Sequence, residues 1–338
     1  MLKHATVADA ATLGSLRRAA HFANLTYRMK RLSYLSKTGA ELVASSKQIP
    51  RFFRKSPFDW FVARYVDPAK NETRYVLAVQ GSNSPEHWKF NLKLESVRAV
   101  EIDGVVHRGA YEAMLRIFDE VTQRLARFGE EADRLPWHFC GHSMGGSVAL
   151  LLYLAGLTRN YGDSRVFMFG SPSVLMEPCF SKVHDATHVV HVVHAYDVVP
   201  RLLACDYGAL ANFVSKPPKS VKVDSCNLDD DKDDNHADGM LYTHVGSLIV
   251  MQPDAATLQL PSYLAKYSRH PRLPNRPGLY RILSHADVVR FMNDPHPLTL
   301  IGNKNFRNNQ LVQKFHNMDV YNTALRKLMY SHAHAHHR

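Results

Sequence analysis

The chain has 338 residues, enough for one large domain or two small ones, and its 45% hydrophobic fraction can fill a sizeable core. Its net charge of +11 and pI near 9.4 favour anionic surfaces as partners. The cationic residues are spread along the chain without interleaved aromatic runs, which favours a phospholipid surface over nucleic acid. No apolar run approaches the length of a membrane-spanning helix.

The four cysteines argue against two further classes of protein. They stand at Cys140, Cys179, Cys205 and Cys226, a spacing that matches neither a zinc site nor a dense disulfide framework. A reducing compartment is therefore the default prediction, with a Cys205–Cys226 bridge as the alternative.

Residues 10–46 are predicted to be helical, because apolar residues such as Leu16, Ala20 and Ala23 recur at helical spacing. Cationic residues accompany them throughout. Two interpretations remain open for residues 1–50: a helical flank packed on the core, or a face that also lies on anionic lipid.

Residues 57–66 and 73–80 are predicted as two strands joined by a hairpin loop. The second strand ends at Gly81 and Ser82. A glycine followed by a small hydroxylated residue at the end of a central strand suits an oxyanion hole, because the backbone N–H of Ser82 can face a developing anion.

The next stretch, as far as Leu92, is short and amphipathic and carries Trp88 and Phe90. One interpretation is a lid that opens over the site on lipid. The other is a surface helix whose Trp88 packs into the core.

A helix is predicted over residues 110–128, and a short apolar strand then ends in Gly141–Gly145, followed at once by a helix of small and apolar residues. This is the pattern of a nucleophile elbow, with Ser143 at a strained turn above a sheet. Gly141 and Gly145 are needed where a side chain would collide with a neighbouring element. We expect Cys140 to be buried, and His142 to point away from the Ser143 hydroxyl as a packing or turn residue.

Further strands are predicted over residues 166–169, 188–194, 241–252 and 278–283, and helices over 284–292, with Ser284 as N-cap, and 317–330. Residues 216–239 contain an acidic run without the glycine and terminal glutamate of an EF-hand, so a solvated insertion loop is favoured over a calcium site. The histidine-rich residues 332–338 predict a disordered tail rather than a metal site.

A serine hydroxyl needs a base within reach and an acid that orients the base. Asp197 follows an apolar strand and lies in a turn downstream of Ser143, where α/β-hydrolase-like folds place this acid. Ten of the 20 histidines follow Asp197, so the residue types alone leave the base open.

The chain resembles the class 3 lipases, and within them the plastid lipases of plants and algae. The resemblance rests on motifs distributed over most of the chain, namely Ser56–Phe61, Val79–Ser82, Val106–Gly109, Gly141–Gly146, Phe169–Pro172, Asp197–Arg201 and Phe315–Met318.

The resemblance implies an α/β-hydrolase fold: a mostly parallel central sheet flanked by helices, with a lid segment and an acidic insertion loop. It implies His316 as the base, with His244 and His285 as alternatives. The backbone N–H of Met144, where the family more often has leucine, would complete the oxyanion hole with Ser82.

The domain expected is residues 51–331, preceded by the helical flank and followed by the tail. The implied activity is hydrolysis of fatty-acyl esters in phospholipids or galactolipids, at the sn-1 position, at a membrane or lipid-droplet surface. No metal or organic cofactor is expected, the membrane association would be peripheral, and the compartment would be the plastid, with the cytoplasm as alternative. Other possibilities are a triacylglycerol or monoacylglycerol lipase, an acyltransferase, or a lipid-binding module without catalysis.

Overall fold

The computed structural model describes residues 2–7, 9–50, 52–68, 70–82, 95–128, 130–157, 163–176, 188–201, 242–254, 256–257, 270–294 and 314–335. The predicted lid with Trp88 and Phe90, the acidic loop 216–239 and the Cys205–Cys226 alternative lie outside these residues. Within them, no helix is both long and apolar enough to cross a membrane.

The described residues form eleven strands and six α-helices. The strands are β1 (His4–Thr6), β2 (Ala40–Ser45), β3 (Trp60–Asp67), β4 (Glu72–Val79), β5 (Ser96–Ala99), β6 (Gly104–His107), β7 (Trp137–His142), β8 (Arg165–Phe169), β9 (Val189–His194), β10 (Ser247–Gln252) and β11 (Gly278–Ile282). The α-helices are α1 (Ala10–Leu25), α2 (Arg108–Leu125), α3 (Glu130–Arg134), α4 (Met144–Leu154), α5 (His285–Met292) and α6 (Met318–Ala335).

Nine of these strands form one sheet in the order β1-β11-β10-β9-β8-β7-β4-β3-β2. The five central strands, from β10 to β4, are parallel to one another. The pairs on either side of them are antiparallel. The predicted sheet is therefore parallel at its centre and antiparallel at both margins. The carboxyl ends of the parallel strands meet at one edge, where α/β proteins place their ligands.

The N-terminal flank is less helical than predicted. Helix α1 is followed by a 3-10 helix, Thr26–Thr38, and that helix ends at Gly39 with a left-handed φ of 72°. Glycine adopts this conformation without strain, and the chain then turns into β2 instead of continuing as helix to residue 46. Strands β1 and β2 place parts of residues 1–50 at the two edges of the main sheet. The division of the chain at residue 50 remains a prediction.

The C-terminal helix is longer than predicted. Helix α6 continues to Ala335, so residues 332–335, which we expected in a disordered tail, are helical. Two alanines in this stretch favour the helical backbone.

Helices cover both faces of the sheet. Helix α1 and helix α6 pack on one face, and α2 and α4 pack on the other. Every residue of α4 is buried, as expected for a helix that is apolar on all sides, and every residue of β7 is buried at the centre of the sheet. Cys140 on β7 is buried, as predicted.

A buried carboxylate joins α2 to the connection between β2 and β3. Glu120 accepts hydrogen bonds from the backbone N–H groups of Lys55 and Ser56, at 2.6 and 2.7 Å, and from the indole N–H of Trp60, at 2.7 Å. Its side chain therefore satisfies three donors that would otherwise be buried without partners.

We expect Glu120→Ala to lower the free energy of unfolding by about 3 kcal/mol, because it leaves these buried donors without an acceptor. Urea unfolding measures the change. The neighbouring Asp119→Ala is the matched control, since Asp119 pairs with Lys55 at the exposed surface and should matter little. Equal effects of the two substitutions would contradict this account.

Buried histidines should make the fold labile in mild acid. Burial lowers the pKa of His194 and of His244 to about 4. Burial also lowers the pKa of His138, His142 and His191 well below 6.5. The unfolded chain therefore binds protons that the folded chain does not, and stability falls as pH drops below 6.5.

For each such histidine, the free energy of unfolding should fall by about 1.4 kcal/mol per pH unit below 6.5, until the folded pKa is reached. Urea unfolding at about pH 7 and at about pH 5 measures the slope. His194→Gln should reduce this slope. An unchanged free energy of unfolding of the parent chain between these two pH values would refute the prediction.

Candidate active site

Ser143 lies in a sharp turn between β7 and α4. Its backbone has φ 55° and ψ −139°, outside the regions that residues with a side chain ordinarily adopt. Two hydrogen bonds hold this conformation: the Ser143 N–H donates to the carbonyl of Phe169 at 2.9 Å, and the Gly146 N–H donates to the Ser143 carbonyl at 3.0 Å. The predicted nucleophile elbow has the expected backbone form.

The glycines on either side of Ser143 permit a close approach of the strand and the helix. A Cβ atom at Gly141 would collide with the backbone of Gly145 and Gly146, and a Cβ atom at Gly145 would collide with the backbone of Val79 and Gln80. Both collisions are with main-chain atoms, which cannot move aside without displacing β4 or α4. The elbow is therefore pressed against the end of β4.

Asp197 lies in the turn that follows β9 and is fully buried. One carboxylate oxygen, Oδ1, accepts the Val199 N–H at 3.0 Å. The other, Oδ2, accepts the Tyr321 hydroxyl at 2.7 Å and the His316 ring at 2.8 Å. A buried carboxylate requires such partners, because an unpaired one would be very unfavourable.

His316 meets Asp197 through Nδ1, which donates because a carboxylate oxygen accepts. This bond leaves Nε2 as the unprotonated nitrogen of the neutral ring. The other candidates lie elsewhere: His244 stacks on His191, with their Nδ1 atoms 3.3 Å apart, and His285 begins helix α5. Of the three histidines, the structure brings His316 to the acid.

Tyr321, on α6, links Asp197 to strand β9 by hydrogen bonds. Its hydroxyl donates to Asp197 and accepts the His194 N–H at 2.8 Å. Burial, and then the nearby Asp197, raise the pKa of Tyr321 well above its ordinary value, so the hydroxyl stays protonated and remains a donor.

His142 has a more specific position than the packing residue we expected. Its ring lies against the His316 ring, with centroids 4.5 Å apart, and its Nε2 donates to the backbone carbonyl of His316. Burial lowers the pKa of His142 well below its ordinary value, and the adjacent His316 lowers it further. The ring is therefore neutral, and its Nδ1 must accept a hydrogen bond.

The donor to His142 is Tyr27, which follows α1 in the chain. The Tyr27 hydroxyl lies 2.8 Å from His142 Nδ1 and accepts the Gly81 N–H at 3.1 Å. Burial raises the pKa of Tyr27, which keeps the hydroxyl protonated. A directed chain of hydrogen bonds thus runs from Gly81 through Tyr27 and His142 to the backbone of His316.

The two predicted oxyanion residues lie in the elbow itself and just after the end of β4. Met144 is the first residue of α4, where a backbone N–H has no acceptor within the helix. Ser82 follows Gly81, and a Cβ atom on Gly81 would lie 2.9 Å from Cβ of Ser143. The end of β4 is therefore packed directly against the nucleophile turn.

Sequence reasoning gave no role to Tyr27. In the sequence it belongs to a helical pattern of apolar residues, and its polar partners His142 and Gly81 lie more than 50 residues away. No local signal distinguishes its hydroxyl from that of a tyrosine that only packs in a core.

The sequence model of the family described as Lipase (class 3) matches residues 76–207. Two proteins of Arabidopsis thaliana are similar over most of the chain: phospholipase A1 PLIP2, chloroplastic, at 28% identity, and phospholipase A1 PLIP1, chloroplastic, at 32%. The alignments cover 81% and 74% of this chain but only 39% and 38% of those proteins. The chain thus spans about two fifths of the length of the curated relatives it matches.

The fold is similar to that of lipase II from Rhizopus niveus, with a TM-score of 0.54 at 15% identity over 84% of this chain and 88% of that one. At this identity the likeness concerns the fold alone. It confirms the α/β-hydrolase architecture that the resemblance implied.

We expect Tyr27→Phe to slow the labelling of Ser143 by a fluorophosphonate about tenfold, because loss of the hydrogen bond from Tyr27 to His142, worth about 1–1.5 kcal/mol, releases His142 and, through it, His316. The labelling rate of the folded protein is the measurement.

Tyr65→Phe is the matched control. Tyr65 is a buried tyrosine bonded to Nδ1 of another buried histidine, His138, at the far end of β7. Both substitutions should lower the urea midpoint to a similar extent, but only Tyr27→Phe should slow labelling. Unchanged labelling of Tyr27→Phe would show that Tyr27 has no part in the site.

Proposed function

Because the chain belongs to the class 3 lipase family, we propose that it hydrolyses fatty-acyl esters of glycerolipids with Ser143, His316 and Asp197 as a catalytic triad. The observation that carries the proposal is the 2.8 Å bond from His316 Nδ1 to the buried Asp197 carboxylate. It fixes the tautomer in which Nε2 can take a proton.

In the first half of the reaction, His316 Nε2 accepts the Ser143 proton while Oγ attacks the ester carbonyl. The backbone N–H groups of Met144 and Ser82 stabilise the negative charge of the tetrahedral intermediate. Asp197 stabilises the imidazolium that forms on His316. The protonated ring then gives its proton to the leaving lipid alcohol, and an acyl-enzyme remains on Ser143.

In the second half, a water molecule takes the position of the alcohol. His316 removes a proton from this water, which attacks the acyl carbonyl, and the fatty acid leaves as Ser143 regains its proton. The proposed steps use the chain's own groups and require no metal or organic cofactor.

The substrates proposed are phospholipids, cleaved at the sn-1 position, and galactolipids. The names of the two Arabidopsis relatives, which describe chloroplastic phospholipases A1, support the phospholipid, the position and a plastid location. The galactolipid rests on the resemblance of the motifs to the plastid subgroup. Trp88 and Phe90 remain proposed as part of a lid.

We expect Ser143→Ala to abolish release of fatty acid, by at least about 10⁴-fold, with an unchanged circular dichroism spectrum. The substrates are phosphatidylcholine with different acyl chains at its two positions, a galactolipid and a triacylglycerol, and mass spectrometry identifies the products. A lysolipid product that retains the sn-2 chain would support the proposed specificity. Cleavage of triacylglycerol alone would contradict it and indicate a triacylglycerol lipase.

The assignment of the base has its own pair of variants. His316→Gln should reduce hydrolysis as severely as Ser143→Ala does, whereas His244→Gln should leave it nearly unchanged, because His244 contacts His191 and not Asp197. The reverse result would overturn the assignment of His316.

A further inference from the structure

Two adjacent phenylalanines lie on the surface between β2 and β3. The side chains of Phe52 and Phe53 are 93% and 70% exposed. Their rings contact each other edge to face, with centroids 5.6 Å apart. Single exposed apolar residues are ordinary, but two neighbouring phenyl rings in water form an apolar patch that is typical of an interaction site.

The residues around this pair are cationic. Residues 47–55 contain Lys47, Arg51, Arg54 and Lys55 and no acidic residue. Arg54 pairs with Asp59 at 2.7 Å, but Lys47 and Lys55 keep 52% and 60% of their side chains exposed beside their acidic partners. Exposed ion pairs are weak, so both ammonium groups can also face an anion outside the protein.

The backbone of this segment is held in place. Glu120 binds the N–H groups of Lys55 and Ser56, and the Phe53 N–H donates to the Pro50 carbonyl at 2.8 Å. The aromatic pair is therefore displayed on an anchored turn, so that docking would cost little conformational entropy.

The segment connects to the edge of the sheet that carries the candidate site. Trp60, at the start of β3, pairs with Val79, and the Gln80 N–H donates to the Asp59 carbonyl at 2.8 Å. Gln80 lies two residues before Ser82, one of the two proposed oxyanion residues. A surface that binds this segment would thus lie near the end of β4, next to Ser143.

We propose that residues 47–55 form a docking segment for a phospholipid bilayer that contains anionic lipids. The rings of Phe52 and Phe53 enter the boundary between headgroups and acyl chains, and Lys47 and Lys55 face the phosphates. This inference rests on the proposed function, for which it supplies the lipid surface. A symmetric dimer through the same patch is disfavoured, because it would bring the exposed ammonium groups of Lys47 and Lys55 from two copies together.

Vesicle co-sedimentation tests the docking segment directly. The protein carries Ser143→Ala so that the lipid is not consumed, and the vesicles are phosphatidylcholine with or without phosphatidylglycerol. Replacing both Phe52 and Phe53 with serine should weaken binding by roughly tenfold or more, since the apolar contact is lost. Lys47→Gln together with Lys55→Gln should weaken binding only to vesicles that contain phosphatidylglycerol.

Tyr34→Ser is the matched control. Tyr34 is another exposed aromatic residue beside a lysine, with Lys37 Nζ 4.5 Å from its ring centroid, but it lies in the 3-10 helix after α1. This variant should bind like the parent. Equal binding of the Phe52/Phe53 double variant and the parent would overturn the proposal. So would light scattering that shows the parent as a dimer and the double variant as a monomer.

Activity with Ser143 intact separates the two proposals. The double phenylalanine variant should cleave a soluble short-chain ester at the parent rate but hydrolyse vesicle phospholipid more slowly. Loss of both activities would overturn the docking role. If the parent cleaves no ester, the proposed function is wrong. Vesicle binding of the Ser143→Ala protein still tests whether the docking segment binds lipid.

Discussion

The hydrogen bonds that stabilise the buried carboxylate of Asp197 also position the other groups of the candidate site. A buried carboxylate requires hydrogen-bond donors, and this one receives them from the turn after β9, from Tyr321 and from His316. Each donor is thereby fixed in position. The same hydrogen bonds that stabilise this carboxylate hold the segment with His316 and Tyr321 against the sheet. They also orient the imidazole of His316.

A second chain of hydrogen bonds holds the backbone of the same histidine. Tyr27 links Gly81 to His142, and His142 holds the backbone of His316. Residues 76–207, which match the family, contain Ser143 and Asp197, whereas Tyr27 and His316 lie on either side of that range. The site is therefore completed by both flanks, and a core that ended at residue 207 would lack the proposed base.

The candidate active site and the proposed lipid-binding segment lie at the same edge of the sheet. The parallel strands end there, which allows their turns to gather Ser82, Ser143 and Asp197. The connection between β2 and β3 begins and ends at the same edge, because β3 runs antiparallel to β4. The candidate site and a patch that favours lipid can thus be neighbours without sharing residues.

The features that depend on local geometry could be predicted from the sequence alone. The elbow was predictable because Gly141, Ser143 and Gly145 form a short pattern within the chain, and Asp197 was predictable because it follows an apolar strand and lies in a turn. The hydrogen bond between His316 and Asp197, the strand at Ala40–Ser45 and the contacts of Tyr27 emerge only in the tertiary structure. Each depends on a partner far away in the chain, and a hydrogen bond between distant residues leaves no periodic pattern in the sequence.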